Sequence, residues 1–198
     1  MTSGKVMDCV NLVELCGVIV HKYNAGKWLV LTLATALNQP KRDYPKVYWY
    51  DEFVQDVDAN YQVGDRVEIT GRLRTSKAYP DQSIVGLSIS PVSSWIDTKF
   101  SGDESEYKPD KNEVLLKGEF IRSFTPNPDL AVVTLKTVIN GYTYFPRITC
   151  FGRQAERAAD IQEGATVYFV AHIQTNKKET EDGTQHYQSV VCRNMRVS

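Results

Sequence analysis

Tyr44, Lys46, Tyr48 and Tyr50 alternate along one stretch of the chain, and Phe145, Arg147, Thr149 and Phe151 alternate along another. In an extended strand successive side chains point to opposite faces, so each set would share one face. The other face carries Val47 and Trp49 in the first stretch and Tyr144, Ile148 and Cys150 in the second, which reads as core. Flat rings interleaved with cations suit a ligand that has stackable bases and a charged backbone. Each base stacked on an aromatic ring contributes about 1–3 kcal/mol, and cations between the rings meet phosphates. Stacking tolerates any base, so no sequence reader is required. A second group follows the same chemistry: Arg72, Arg74 and Lys77 with Tyr79, and Lys177 with Lys178. The competing interpretations are rings packed against another subunit or capping the barrel, and a solvated charged strand edge that resists aggregation.

Other chemistry is poorly supported. His21, His172 and His186 have no metal-ligand spacing, no Gly-rich phosphate loop exists, and no Ser, Cys or paired-acid motif stands out. No catalytic residue, metal or cofactor is therefore expected. Cys9, Cys16, Cys150 and Cys192 form no C-x-x-C pair. Cys16 and Cys150 interrupt apolar strand patterns and read as buried free thiols, which suit a reducing cytosol. The N-terminus has no apolar signal region and no apolar run reaches the roughly 20 residues of a membrane span. A cytoplasmic protein with no membrane partner is expected. The formal charge is −1, so the chain as a whole is not basic. Binding depends on where charge sits rather than on its sum.

The elements that would position these residues occur twice. NLVELCG from Asn11 matches NEVLLKG from Asn112, and WLVLTLAT from Trp28 matches LAVVTLKT from Leu130. PKVYWY from Pro45 matches PRITCF from Pro146, GDRV from Gly64 matches GATV from Gly164, and GRLRTSK from Gly71 matches AHIQTNK from Ala171. Five blocks in one order, at offsets of 100 to 102, indicate two homologous domains at residues 1–98 and 112–198. The polar stretch 99–111, containing SGDESEYKPDK, has the composition of an exposed linker.

Each copy reads as strands around one short helix. VTLKTVINGYTYFPRITCF is a hairpin with Asn140-Gly141 at its tip. RQAERAADIQEG is helix-like and stops at Gly164. TVYFVAHIQT and HYQSVVCRNMRV then alternate as strands about a Glu181-Asp182-Gly183 turn. Domain one repeats the order, with a weaker helix at Asp51 to Tyr61 and a turn at Pro80-Asp81. Strand, strand, strand, helix, strand, strand is the order of the OB-fold, a five-stranded Greek-key barrel. The expected fold is all-β: two tandem OB barrels, each with one short helix.

Asn112, Val114, Leu116 and Gly118, then Lys136-Thr137, Phe151-Gly152 with Ala155-Glu156, Gly164 with Val167, and Gly71, Leu73 and Thr75 together resemble the bacterial single-stranded DNA-binding proteins. The order and spacing carry the resemblance more than any single motif. It implies base stacking at Phe145 and Phe151, extended by the repeat to Tyr44 and Tyr50. It also implies gathering of four OB barrels, which two tandem chains would reach as a homodimer. The first strands, Val13 to Val20 and Val114 to Ile121, are the expected contacts, since an open barrel leaves edges unpaired. Three features depart from the family: two barrels share one chain, Lys178 stands where it has an aromatic, and its acidic, Phe-ended tail is not in this sequence. A specialised copy from a plasmid, phage or conjugative element would fit these departures. The function expected is sequence-independent binding of single-stranded DNA in replication, recombination or mobile-element transfer. The main rival is an OB module that holds protein partners of a replication or conjugation complex. RNA would satisfy the same stacking chemistry.

Overall fold

A computed structural model of the protein describes residues 8–38, 41–75, 82–92, 109–180 and 183–198. The first half contains β1 (Val10–Asn24), β2 (Trp28–Asn38), β3 (Lys41–Asp43), β4 (Lys46–Tyr50), α1 (Glu52–Asn60), β5 (Arg66–Arg74) and β6 (Ser83–Pro91). The second contains β7 (Lys111–Asn127), β8 (Leu130–Ile139), β9 (Tyr142–Tyr144), β10 (Arg147–Phe151), α2 (Arg153–Ala159), β11 (Thr166–Thr180) and β12 (Gly183–Val197). β3 and β9 are three-residue additions to the expected order, each pairing with the far end of the preceding strand.

Each half closes on itself. β1 pairs with both β2 and β5, β2 with β4, β4 with β6 in parallel, and β6 with β5, completing a ring. β7, β8, β10, β12 and β11 repeat that ring, again with one parallel pair, at Thr149 and Val191. This is the OB barrel expected from the sequence, present twice.

Local sequence explains the closure. Val67, Ile69 and Leu73 alternate inward along β5, as Val167, Phe169, Ala171 and Ile173 do along β11. Val54 and Val57 of α1, and Ala155 and Ala158 of α2, recur at helical spacing and plug the barrels. Gly17 and Gly118 lie where the first strand runs tight against the backbone of the second. A Cβ there would collide with the carbonyl oxygen of Ala34 or Lys136. The β8–β9 turn has Asn140 at φ 51° and Gly141 at φ 81°, the double positive φ that a two-residue hairpin loop favours.

The two rings are also joined edge to edge. β1 pairs antiparallel with β7 from Val10 opposite Lys117 to Cys16 opposite Lys111, giving one continuous 12-stranded sheet. The first strands, expected as contacts between chains, are instead partners within one chain. Lys111, placed by composition at the end of the linker, opens β7. Its ammonium lies 2.8 Å from Glu14 Oε2, and that hydrogen bond holds its pKa above the ordinary lysine value. Arg66 reaches across to Asp110 at 2.6 Å.

Two buried asparagines fasten the first strand within each barrel. Asn11 Nδ2 donates to Leu73 O at 2.9 Å while its Oδ1 accepts from Leu73 N at 2.9 Å. Asn112 does the same with Ile173, at 2.7 and 2.8 Å. The asparagine that begins each repeat therefore ties the first strand to the strand after the helix. No helix among the described residues is long and apolar enough to cross a membrane.

Candidate nucleic-acid interface

Strand three of each barrel, β4 and β10, shows the alternation read from sequence. Val47, Trp49, Ile148 and Cys150 are buried, while Lys46, Tyr48 and Tyr50, and Arg147, Thr149 and Phe151, face outward. Just before each strand, Tyr44 is 46% exposed and Phe145 is half-buried, whereas Pro45 and Pro146 turn inward. Phe151 is 52% exposed. The prolines keep the chain extended here, and their carbonyls accept from Leu33 N and Leu135 N, each at 3.0 Å.

In the first barrel the rings form a group. Tyr48 and Tyr50 lie nearly parallel, 14° apart with centroids at 6.5 Å. Trp28 approaches Tyr48 at 6.2 Å, and Tyr23 approaches Trp28 at 5.4 Å. The Arg74 guanidinium sits 5.6 Å over the Tyr50 ring, a cation–π arrangement. Arg72 takes a different partner, lying 5.5 Å over Tyr144, which belongs to the other barrel and is buried.

The start of each strand three is held by the opposite barrel. Tyr44 N donates to Thr175 Oγ1 at 3.0 Å, and Phe145 N donates to Thr75 Oγ1 at 2.8 Å. Lys46 N donates to Gln188 Oε1 at 3.0 Å, and Arg147 N donates to Gln82 Oε1 at 2.9 Å. Gln82 Nε2 returns a bond to Arg147 O at 2.7 Å, and buried Asp43 accepts from Thr175 N at 2.9 Å. These bonds use backbone and short side chains. They leave the Tyr44, Lys46, Phe145 and Arg147 side chains to project from an anchored backbone, the preorganisation that favours binding.

The remaining expected residues divide. Arg74 and Lys177 are exposed, and Arg72 is half-buried between the barrels. Lys178 lies in β11 with its backbone opposite Gln185. Lys77 and Tyr79 lie outside the described residues, as do the Pro80-Asp81 turn and residues 181–182. Sequence reasoning missed Tyr23, Trp28, Thr75, Thr175, Gln82 and Gln188. Trp28 was detectable, because it alternates against Leu29, Leu31 and Leu33, all fully buried.

Cys16, Cys150 and Cys192 are buried and unbridged. A hydrogen bond with Cys192, together with burial, pushes the Cys150 thiol far above its ordinary pKa. It stays protonated and unreactive. Among the described residues no cluster of His, Cys, Asp or Glu could hold a metal ion.

Solved structures resemble the fold over nearly its whole length. The wild-type single-stranded DNA binding protein from Thermus aquaticus matches with a TM-score of 0.65 at 17% identity, over 96% of this chain and 93% of that one. A deletion mutant of the same protein matches with a TM-score of 0.65 at 16% identity, over 96% and 95%. The likeness is to both barrels in tandem, not to one. No family model and no curated protein matches the sequence.

Proposed function

We propose that the protein binds single-stranded DNA, largely irrespective of sequence, and catalyses nothing. One observation carries the reading: the same outward face of ring, cation and ring stands on strand three of both barrels, on a backbone anchored at its start. Stacking and phosphate contact are what such a face does. The tandem-barrel likeness to proteins named for binding single-stranded DNA supports it.

The expected setting is the cytoplasm, in replication, recombination or transfer of a mobile element. Two chains would gather four barrels. Because β1 and β7 pair with each other, a second chain would use other surfaces.

The near-neutral charge favours a second reading, in which the OB faces hold protein partners. Salt separates the two. DNA binding releases counterions and weakens steeply as salt rises, whereas an apolar protein interface barely responds. Fluorescence titration with oligo-dT, duplex DNA and RNA at two salt concentrations is the deciding measurement. Tight, salt-sensitive binding to oligo-dT with little affinity for duplex supports the proposal. Salt-independent binding, or none, passes the lead to the protein-partner reading.

A further inference from the structure

We infer that the two barrels are unequal, and that the first carries the primary stacking surface: a row of four rings, Tyr23, Trp28, Tyr48 and Tyr50, ending under Arg74. This rests on the single-stranded DNA reading and extends it to residues on β1 and β2. Neighbouring centroids along the row are 5.4, 6.2 and 6.5 Å apart, so the rings are contiguous. The core beneath is already sealed by fully buried Leu29, Leu31, Val47 and Trp49. The row is therefore not filling the barrel. It lies on the outer face, with Tyr23 52% exposed and Trp28, Tyr48 and Tyr50 half-buried.

The second barrel shows what the same sites look like without the row. Tyr23 corresponds to Phe124, Trp28 to Leu130, Tyr48 to Thr149 and Tyr50 to Phe151. The ladders confirm the correspondence. Tyr23 pairs with Val30 and Trp28 with Tyr50 in the first barrel, and Phe124 pairs with Val132 and Leu130 with Phe151 in the second. The two middle rings of the row are thus replaced by residues with no π-face, and Phe124 and Phe151 are left apart. The second barrel closes the same ring of strands without the row, so this barrel type does not require four rings on that face. A short strand that can occupy only one barrel should choose the first, because more of its bases find a ring.

The test uses an oligo-dT of about eight nucleotides, within the span of a single OB-fold. Of the three tryptophans, Trp49 is 1% exposed and cannot reach a base. In a Trp95→Phe background, quenching on binding therefore reports on Trp28. The expected result is clear quenching in this parent. Trp28→Leu, which installs the residue the second barrel already has, should abolish the quenching and weaken binding about tenfold, the loss of one stacked base. Phe151→Leu in the second barrel should keep the quenching and weaken the short oligonucleotide less. If Trp28→Leu lowers the melting temperature, Tyr48→Thr serves instead, with the same expected loss of affinity. Parent-like affinity in the Trp28 or Tyr48 variant, or a parent that binds without quenching, overturns the inference and leaves the proposed function standing. A parent that binds no oligonucleotide overturns both.

Discussion

Val13 lies directly opposite Val114 in the β1–β7 ladder, and Val114 holds Val13's own place in the second repeat. The flanking pairs mirror each other about this point: Leu12 faces Leu115 and Glu14 faces Glu113. A residue meeting its own repeat mate is the signature of a two-fold relationship, in which every cross-contact has a partner. The bonds from Tyr44 N to Thr175 and from Phe145 N to Thr75 are one such couple. The tandem chain thus contains, covalently tied, the kind of self-complementary join that two separate copies would make. Like charges opposite one another destabilise a sheet. Lys111 relieves the Glu14–Glu113 pair, its Nζ 2.8 Å from one carboxylate and 3.6 Å from the other.

The join makes the two barrels one folding unit. Val13 and Val114 are fully buried and belong to a single apolar cluster that runs through both halves. Val13→Ala and Val114→Ala should each lower stability by about 1–3 kcal/mol, the range for truncating a core side chain by a small step. Because the two side chains are neighbours, the double variant should depart from additivity by about 0.5 kcal/mol or more. Calorimetry should show one transition in every case. Two resolved transitions in the wild type would mean that the barrels unfold separately.

The buried asparagines give a sharper stability test. Asn112 is fully buried and answers both the N–H and the C=O of Ile173. Asn112→Ala would strand both groups, at about 1–3 kcal/mol for each unsatisfied one. Asn11→Ala should cost less, because Asn11 retains 9% exposure and water can reach its partners more easily. Urea denaturation of the two variants checks the order.

Much of the fold was legible because it depends on short-range pattern: alternation along β5, β10 and β11, the Asn140-Gly141 turn, and the repeat itself. The strand-three face was legible for the same reason. Tyr23 was not, because the β1–β2 register shifts between Ile19 and His21, and a bulge reverses the face that parity assigns. Thr75, Thr175, Gln82 and Gln188 were not, because their partners lie 65 to 142 positions away in sequence. The pairing of β1 with β7 was missed because unpaired edges look alike whether their partner is another chain or the other half of the same one.

One ion pair should make stability depend on acid. Lys22 Nζ lies 3.0 Å from Asp58 Oδ1, and Asn24 Nδ2 donates to Oδ2 at 2.9 Å, fastening β1 to α1. The bond from Lys22 is the main reason the Asp58 carboxyl sits below its ordinary pKa. A depressed carboxylate pKa stabilises the fold above the unfolded value, roughly 4, and the contribution is lost as pH falls through the folded value. Asp58→Asn should therefore melt below wild type at pH 7, with the gap closing below about pH 4. A gap that does not narrow as the pH falls below about 4 would assign the effect to packing rather than charge.

The cross-barrel anchors should matter for binding more than for folding. Thr175 Oγ1 accepts from Tyr44 N and donates to Asp43 Oδ1 at 3.3 Å. Thr175→Val keeps the shape and removes both bonds, freeing the start of the first barrel's strand three. Weaker oligo-dT binding with a small change in melting temperature is the expected pattern. Unchanged affinity would mean that Tyr44 needs no anchoring to function.

Strand three itself is tested with an oligo-dT long enough to span both barrels. If Tyr44 and Phe145 stack on bases, Tyr44→Ala and Phe145→Ala should each weaken binding by about 1–3 kcal/mol. Lys46→Ala should act differently. It removes one phosphate contact, so the slope of log affinity against log salt should fall by about 0.7. All three variants must melt like wild type, because a ring that merely supported the fold would also lose affinity by unfolding. Tyr44 and Phe145 satisfy that condition structurally: each projects from an anchored backbone, and neither belongs to the buried core. Thr149→Ala is the internal control, since Thr149 lies between Arg147 and Phe151 on the same face but has neither ring nor charge. It should bind nearly as the parent does. If Tyr44→Ala and Phe145→Ala both bind like wild type while remaining folded, strand three is not the platform, and an OB face that holds protein partners becomes the better account of the same rings.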